Sequence, residues 1–269
     1  MDGFTKVADL GGGVHYDVSL AHDHRRRTLV VVKALRADKR DDASARAGFA
    51  RELDILSDVA HPSIVRLLDE GVDSDLPFMV LEHVDGPTLS HLISTHGHVQ
   101  PHQWLSLAVE LTSAIAFLHD AGFVHLDVKP SNVIMGAPAT LIDLSLAMTH
   151  AQAAELDYPV GTDEYMAPEQ CEPHKRGVVS TASDMWGIGA TLYRAAVGHR
   201  AWPQGGHPQL VDPPREMPDF VPFDMQRIIV DLLSPDPDRR PGPDVLLDRL
   251  ENLIDQLPKA RLTGFKIKL

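Results

Sequence analysis

A short polar stretch near the middle of the chain concentrates groups that phosphoryl transfer requires. Asp127, Lys129 and Asn132 lie within six positions, and Asp143 follows eleven residues after Asn132. A carboxylate such as Asp127 can accept or orient the proton of an attacking hydroxyl, and Lys129 can neutralise a transferring phosphate. Asn132 and Asp143 carry the hard oxygen ligands that Mg²⁺ prefers. A loop of helix-capping residues would not explain this order and spacing, so the stretch predicts a phosphotransfer site.

Two weaker signals lie nearer the N-terminus. The glycines of Leu10–Gly13 would let backbone N–H groups approach phosphate oxygens without obstruction by side chains, although a glycine-rich hairpin turn has the same pattern. Lys33 ends the apolar run Val30–Val32 and could contact phosphates, although a lysine at a strand edge is also common. Neither signal is specific by itself.

The elements that would position these residues fall into two regions. The first is predicted to be a β-rich lobe containing one helix, Asp41–Val59, because apolar residues recur there at helical spacing. The predicted strands of this lobe are Val14–Leu20, Leu29–Leu35, Ile64–Leu68 and Phe78–Val84.

Beyond Gly86 and Pro87 the sequence predicts mainly helices. Trp104–His119 is amphipathic and ends at Ala121-Gly122, a good C-cap. Met185–Ala196 is nearly all apolar, which predicts a helix buried on every side, and Pro241–Leu257 has proline in its first turn. Short strands are predicted between these helices at Val124-His125, Val133-Ile134 and Thr140–Ile142.

Composition excludes several classes of function. The 269 residues carry a formal net charge of −13, which argues against a nucleic-acid partner because phosphate backbones demand clustered Lys and Arg. No stretch approaches the length of a membrane helix. The single cysteine, Cys171, excludes an internal disulfide and fits a reducing compartment. We therefore expect a cytoplasmic chain, or the cytoplasmic part of a longer membrane-anchored protein, and leave its oligomeric state open.

The chain resembles the eukaryotic-type (Hanks-type) protein kinase superfamily, and most of all its bacterial Ser/Thr members. The resemblance extends from about residue 5 to 257 and rests on the catalytic loop His125–Asn132 and on Asp143-Leu144-Ser145. Gly161–Glu169, which ends in Ala-Pro-Glu, and Asp184–Gly189 resemble the docking loop and the start of the buried central helix. Small-molecule kinases lack these last two segments, so a protein substrate is favoured.

The resemblance implies an α+β, bilobal fold with a small β-rich N-lobe containing one helix and a larger helical C-lobe. It places the kinase domain at residues 1–257, with the N-lobe at about 1–81, the hinge at 82–87 and the C-lobe at 88–257. A basic tail, 258–269, follows. The implied cofactors are ATP and Mg²⁺, with Mn²⁺ as an alternative metal.

The same resemblance assigns roles to individual residues. Asp127, Lys129, Lys33 and Glu52 are the predicted catalytic residues, and Asn132 and Asp143 are the predicted metal ligands. The predicted nucleotide contacts are Gly11, Gly12, Gly13, Val18, Val31, Lys33, Glu82, Val84 and Ile134, with Leu81 as gatekeeper. Arg240 is expected to pair with Glu169, and Asp184 to brace the catalytic loop. Lys33 is expected at the cleft surface, so that Lys33→Met would leave the fold intact.

Four positions depart from the family pattern. Tyr16 replaces the third glycine of the phosphate loop, and Val31 replaces an alanine. Ser145 replaces the glycine of Asp-Phe-Gly, and Leu126 replaces the arginine before the catalytic aspartate. Leucine cannot pair with a phosphorylated residue, so activity is expected not to depend on activation-loop phosphorylation. Between residues 147 and 160, hydroxyl groups occur only at Thr149 and Tyr158.

The leading interpretation is an ATP- and Mg²⁺-dependent kinase that phosphorylates Ser or Thr of proteins. The alternative is a pseudokinase that binds nucleotide and acts as a scaffold or regulatory module. A small-molecule phosphotransferase is a third alternative. Retention of the base and of both metal ligands favours the active kinase over the pseudokinase.

Overall fold

The computed structural model describes residues 3–72 and 74–256, and the predicted tail 258–269 lies outside this part of the chain. A lobe built on an antiparallel sheet is followed by a mainly helical lobe, which confirms the predicted α+β bilobal fold. Among the described residues, no helix combines the length and apolar character needed to cross a bilayer.

The N-terminal sheet has five strands in the order β1-β2-β3-β5-β4. The strands are β1 (Phe4–Gly12), β2 (Tyr16–Asp23), β3 (Thr28–Leu35), β4 (Leu67–Gly71) and β5 (Phe78–Glu82). Sequence reasoning missed β1, because this edge strand is almost wholly exposed and has no apolar pattern. It also placed a strand at Ile64–Leu68, whereas Ile64 forms only an isolated bridge to Leu141 and is buried in the core. Burial between the lobes, not strand formation, explains its apolar character.

One long helix packs on this sheet. Helix α1 (Ala43–Asp58) begins after Asp42, whose carboxylate accepts hydrogen bonds from the backbone N–H groups of Ser44 and Ala45. Its buried face, which includes Phe49 and Leu53, joins the main core. Within residues 3–72 and 74–82, the N-terminal lobe therefore holds one α-helix, as the sequence predicts.

The C-terminal lobe is organised around two buried helices, α3 and α6. Its helices are α2 (Leu89–His96), α3 (Pro101–Asp120), α4 (His150–Ala154), α5 (Pro168–Cys171), α6 (Thr181–Val197), α7 (Phe223–Leu232) and α8 (Pro243–Gln256). Trp104 of α3 is fully buried and donates its indole N–H to the Leu192 carbonyl of α6 at 2.9 Å. Gly189 of α6 permits close packing of α7, since a Cβ there would lie 2.7 Å from Leu232 Cβ.

Four short strands form two antiparallel pairs in the helical lobe. The strands are β6 (Phe123–Val124), β7 (Val133–Ile134), β8 (Thr140–Leu141) and β9 (Met148–Thr149). β6 pairs with β9, and β7 pairs with β8, both in antiparallel fashion. These pairs hold the catalytic loop and the start of the activation loop against the helical lobe.

A buried ion pair ties α5 to the segment before α8. Arg240 donates from both terminal nitrogens to Glu169, at 2.6 and 2.9 Å, and both side chains are fully buried. The guanidinium also donates to the Ser234 and Ala182 carbonyls and lies 5.1 Å from the centre of the Trp186 ring. The predicted pairing of Arg240 with Glu169 is confirmed.

We expect Arg240→Met to lower the free energy of unfolding by about 3–5 kcal/mol, because it leaves the Glu169 carboxylate buried without its counter-charge. Chemical denaturation of the variant and the wild type measures this difference. The neighbouring exposed Arg239 provides the matched control, and Arg239→Met should change stability by less than about 0.5 kcal/mol. Equal losses in the two variants would contradict the structural role of the pair.

Candidate active site

A cavity with a volume of about 940 Å³ lies between the two lobes. Its walls come from the β1–β2 turn, β3, the segment after β5, the catalytic loop and the segment that follows β8. The predicted site residues that line it are Gly12, Gly13, Val18, Val31, Lys33, Glu82, Val84, Asn132, Ile134 and Asp143. Leu81, the predicted gatekeeper, also lines the cavity and is otherwise buried. Residues distant in sequence are thus brought to one cleft.

The glycine-rich segment serves the β1–β2 hairpin as well as the cleft. Gly11 has a φ of 98° within β1 and lies outside the set of described residues that line the cavity. A Cβ on Gly12 would lie 2.2 Å from the Tyr16 carbonyl oxygen, so the turn itself requires glycine there. Gly13 has no described heavy atom within 4 Å of its Cβ position. The backbone conformation of the hairpin accounts for glycine at positions 11 and 12. Gly13 lines the cavity, and the absence of a side chain there leaves that part of the cleft open.

Lys33 joins three separate parts of the chain. Its ammonium donates to both Glu52 oxygens at 2.8 Å and to Asp143 at 3.0 Å. Burial alone would lower the pKa of Lys33, but these two carboxylates raise it above its ordinary value. Burial would likewise raise the pKa of Asp143, which Lys33 and the Ser145 N–H hold below its usual range. The lysine is therefore charged and fixed between α1 and the strand end that carries Asp143.

Lys33 lines the cleft, as predicted, but its side chain is held in a buried ion pair. Its side chain is only 8% exposed and that of Glu52 only 1%. Replacing Lys33 would leave Glu52 buried without its partner, so Lys33→Met is expected to destabilise the fold as well as the site.

Three side chains donate hydrogen bonds to the Asp127 carboxylate, two from the catalytic loop and one from the docking loop. Thr162 donates its hydroxyl to one carboxylate oxygen at 2.7 Å, and Lys129 donates to the other at 2.7 Å. Lys129 also donates to the Thr162 hydroxyl at 2.7 Å, so the three side chains form a closed set. Asn132 contributes a further bond of 3.2 Å to Asp127. Sequence reasoning singled out Thr162 only as a feature of the Ser/Thr pattern and missed this contact, which depends on folding of the distant docking loop.

Asn132 and Asp143 offer a donor set that fits a divalent cation. The Asn132 amide nitrogen donates to the Asp127 carbonyl at 3.0 Å and to its carboxylate, which leaves the amide oxygen as the ligand. Asp143 is 35% exposed and lines the same cavity. A carboxylate and an amide oxygen suit Mg²⁺, which keeps several waters and binds through few protein groups.

Tyr16 fills the space that a third glycine would leave empty. Its ring is buried, with its centre 4.6 Å from the Lys33 ammonium and 6.2 Å from the centre of the Phe49 ring. Burial, with the nearby Glu52 charge, raises the pKa of Tyr16 to about 12, so its hydroxyl stays protonated. The aromatic side chain thus connects the phosphate-loop hairpin to α1.

Ser145 and Leu126 differ in how they accommodate their substitutions. Ser145 does not have a positive φ, so its backbone conformation does not require glycine. Leu126 has a φ of 63°, a left-handed conformation that costs a non-glycine residue about 1–2 kcal/mol. Asp184 offsets this cost by accepting hydrogen bonds from the backbone N–H groups of Leu126 and His125 at 2.7 and 2.8 Å.

Asp184 is fully buried and also accepts a hydrogen bond from the His119 ring at 2.8 Å. Burial alone would raise the pKa of Asp184, but the bonds from His119 and His125 hold it below its ordinary value. The predicted bracing of the catalytic loop by Asp184 is confirmed. The His119 contact was missed, because nothing in the sequence distinguishes this histidine from the fourteen others.

The Leu126 side chain anchors an apolar cluster beneath the activation loop. We call the set the loop cluster, and its buried members are Val124, Leu126, Met148, Ala153, Leu156 and Val179. Met148 begins β9, while Ala153 and Leu156 come from α4 and the residues after it. The loop is therefore packed onto the residue that stands where the family has a charged side chain.

Comparison with known proteins agrees with this geometry. A family profile described as "Protein kinase domain" matches residues 4–256. The chain is 30% identical over 249 residues to serine/threonine-protein kinase PknB of Mycobacterium leprae, covering 86% of this chain and 39% of that protein. It is 32% identical over 260 residues to the probable serine/threonine-protein kinase SCO3848 of Streptomyces coelicolor, with coverage of 86% and 37%.

A third relative is serine/threonine-protein kinase pkn2 of Myxococcus xanthus, 32% identical over 209 residues, with coverage of 74% of this chain and 25% of that protein. The chain thus spans less than two fifths of the length of each of these relatives. The family match, in contrast, extends over nearly all of the described residues. The chain therefore belongs to the protein kinase domain family.

Proposed function

We propose that the chain is a kinase domain that transfers the γ-phosphate of ATP, with Mg²⁺, to Ser or Thr hydroxyls of proteins. The observation that carries the proposal is the ion triad in which Lys33 contacts Glu52 and Asp143 at the wall of the cleft. This arrangement places a fixed positive charge beside the predicted metal ligand. The names of the relatives, all serine/threonine-protein kinases, support the Ser/Thr preference.

Each catalytic residue has a distinct task in this proposal. Asp127 orients the substrate hydroxyl and accepts its proton, since Thr162 and Lys129 hold its carboxylate in one orientation. Lys129 neutralises charge that develops on the transferring phosphoryl group. Lys33 contacts the nucleotide phosphates, and Glu52 keeps its side chain in place.

ATP supplies the transferable phosphoryl group, and the divalent cation lowers the charge repulsion around it. Asn132 and Asp143 are the residues that would hold the metal, with Mg²⁺ preferred and Mn²⁺ as the alternative. Val18, Val31 and Ile134 provide apolar surface for the adenine, next to the backbone of Glu82 and Val84. We assign residues 1–257 to the kinase domain, with the hinge at 82–87, and a cytoplasmic location where ATP and a reduced Cys171 thiol occur together.

A nucleotide-binding pseudokinase remains the second candidate, because Tyr16 occupies part of the space beneath the phosphate loop. In that case the cleft would bind nucleotide without transfer, and the chain would act through a partner. The two candidates differ in turnover and not in nucleotide binding.

The deciding experiment is transfer of the γ-phosphate to a generic protein substrate with Mg²⁺, comparing wild type, Asp127→Asn and Asp143→Asn. We expect Asp127→Asn to lower kcat by about 10²- to 10⁴-fold with nucleotide affinity unchanged, because the group acts in the transition state. Asp143→Asn should lose transfer because it removes the anionic metal ligand. The exposed Lys6 provides a neutral control, Lys6→Met.

Near-normal turnover in Asp127→Asn would mean that another group accepts the proton. Absence of transfer by the wild type, together with thermal stabilisation by ATP, would favour the pseudokinase. Lys33→Met is not used in this test, because its expected loss of stability would lower activity for a second reason.

We further propose that activity does not require phosphorylation of the activation loop. The loop cluster supports this, since the buried Leu126 and Leu156 hold the loop by apolar packing. Burial of one such side chain stabilises by about 1.5–3 kcal/mol, a contribution to loop order that does not require a phosphate. Arginine at position 126 would place a charge inside this cluster.

Thr149 needs a particular test because it is the N-cap of α4. Its hydroxyl accepts from the Gln152 N–H at 3.2 Å, so Thr149→Ala would remove a cap as well as a phosphorylation site. Asn keeps the cap and cannot be phosphorylated by a Ser/Thr kinase. We expect the double variant Thr149→Asn/Tyr158→Phe to retain kcat within about twofold of the wild type, measured beside intact-mass spectrometry.

Loss of turnover in this double variant, with stoichiometric phosphate on Thr149 of the active wild type, would contradict the proposal. Leu156→Ala provides the complementary arm, because it removes cluster packing without touching a hydroxyl. It should reduce kcat more than the double variant does.

A further inference from the structure

A second cavity, with a volume of about 400 Å³, lies beside the docking loop in the helical lobe. Three arginines line it: Arg194 in the last turn of α6, Arg200 just after that helix, and Arg215. We call this site the arginine pocket. A cluster of positive charge stands out in a chain whose formal net charge is −13.

The arginines are not neutralised locally. Among the described residues, the only carboxylate within 4.0 Å of any of the three is Glu164, 3.8 Å from the Arg200 Nε. Glu164 also accepts a bond from Gln204 at 2.8 Å. Among the described residues, Arg194 and Arg215 thus have no carboxylate within 4.0 Å, and Arg200 has one near that limit.

Two of these guanidinium groups have unused donors. The Nε atoms of Arg194 and Arg200 are buried and have no hydrogen-bond partner among the described residues. A buried donor without an acceptor is costly, so the fold leaves part of the hydrogen-bonding capacity of these two side chains unused. Arg215 is exposed, and only its backbone serves the fold, through Ala201 and Tyr193.

The pocket has a rigid wall. Trp202 stacks on Trp186 with ring centres 5.3 Å apart and donates its indole N–H to the Asp212 carbonyl at 3.0 Å. Because Trp186 belongs to α6, this wall cannot move independently of the central helix. The arginines are thus presented on a preorganised surface, which favours binding.

The docking loop connects this pocket to the catalytic carboxylate. Thr162 donates its hydroxyl to Asp127, and the Tyr165 N–H donates to the Thr162 carbonyl at 2.8 Å. The Tyr165 hydroxyl in turn accepts a 2.6 Å bond from Arg194. One turn of chain therefore lies between the catalytic residue and the pocket. A substrate whose acceptor hydroxyl lies at Asp127 would therefore have neighbouring residues near the pocket.

We infer that the arginine pocket binds an anionic side chain of the protein substrate, a carboxylate or a phosphoryl group a few residues from the acceptor hydroxyl. This inference rests on the proposed kinase function and adds a substrate preference to it. Arginine suits the role because its planar guanidinium donates to carboxylate and phosphate oxygens in pairs.

The test uses peptides with one acceptor serine, in which an aspartate is scanned through every other position of a neutral sequence. At the position that reaches the pocket, we expect the wild type to prefer aspartate over alanine by about tenfold in kcat/KM, mostly through KM. Phosphoserine at that position distinguishes the two sources of the anion. A greater preference for phosphoserine identifies a phosphorylated substrate, and a greater preference for aspartate identifies an acidic one.

Arg215→Gln is the principal variant, since its side chain is exposed and its removal leaves the fold's contacts in place. The ratio of kcat/KM for the acidic and neutral peptides should fall several-fold in Arg215→Gln and further in Arg200→Gln/Arg215→Gln. Arg249→Gln, which removes an arginine paired with Asp231 on another surface, should leave the ratio unchanged. A wild type without preference for an anion at any position, or a preference that survives the double variant, overturns the inference.

A binding measurement separates this inference from the proposed function. The acceptor serine is replaced by alanine, and affinity for the acidic and neutral peptides is measured by fluorescence anisotropy. If the wild type transfers no phosphate but binds the acidic peptide more tightly through Arg215, the kinase proposal fails and the pocket stands. If phosphate is transferred but neither rate nor affinity depends on the anion, only the pocket fails.

Discussion

The buried carboxylate of Asp184 is the interaction on which the catalytic half of the structure depends. It accepts the N–H groups of His125 and Leu126 and so holds a leucine in a left-handed conformation that it would otherwise avoid. That conformation sends the Leu126 side chain into the loop cluster and leaves Asp127 facing Thr162 and Lys129. Because Asp184 lies in the first turn of α6, the central helix serves as the fixed reference for both arrangements.

The two lobes meet through charge and not only through apolar packing. Lys33 from the sheet, Glu52 from α1 and Asp143 from the helical lobe form one connected set, so the position of α1 and the position of the metal ligand are coupled. Removing Lys33 would leave the buried Glu52 carboxylate without its counter-charge. The Tyr16 ring lies against the same lysine and adds a non-ionic contact to this junction.

The sequence predicted the parts of the site that lie in continuous motifs, such as Asp127, Asn132 and Asp143. It could not predict contacts made between motifs. Thr162 reaches Asp127 across 35 residues, and the loop cluster joins Leu126 to Leu156, neither of which has a local pattern. Strand β1 was missed for a different reason, since an exposed edge strand has no buried face and hence no apolar alternation. The arginine pocket was missed because its members are dispersed over more than twenty residues.

The loop cluster affects how the order of the activation loop depends on salt and temperature. A contact between a phosphate and an arginine would order the loop through charge. Dissolved salt weakens such a contact, because the Debye screening length is about 8 Å at physiological ionic strength. A loop held by leucine and methionine side chains is instead strengthened by sulfate-type salts and weakened by cooling. The contribution of the loop cluster to the order of this loop therefore falls on cooling and depends little on charge screening.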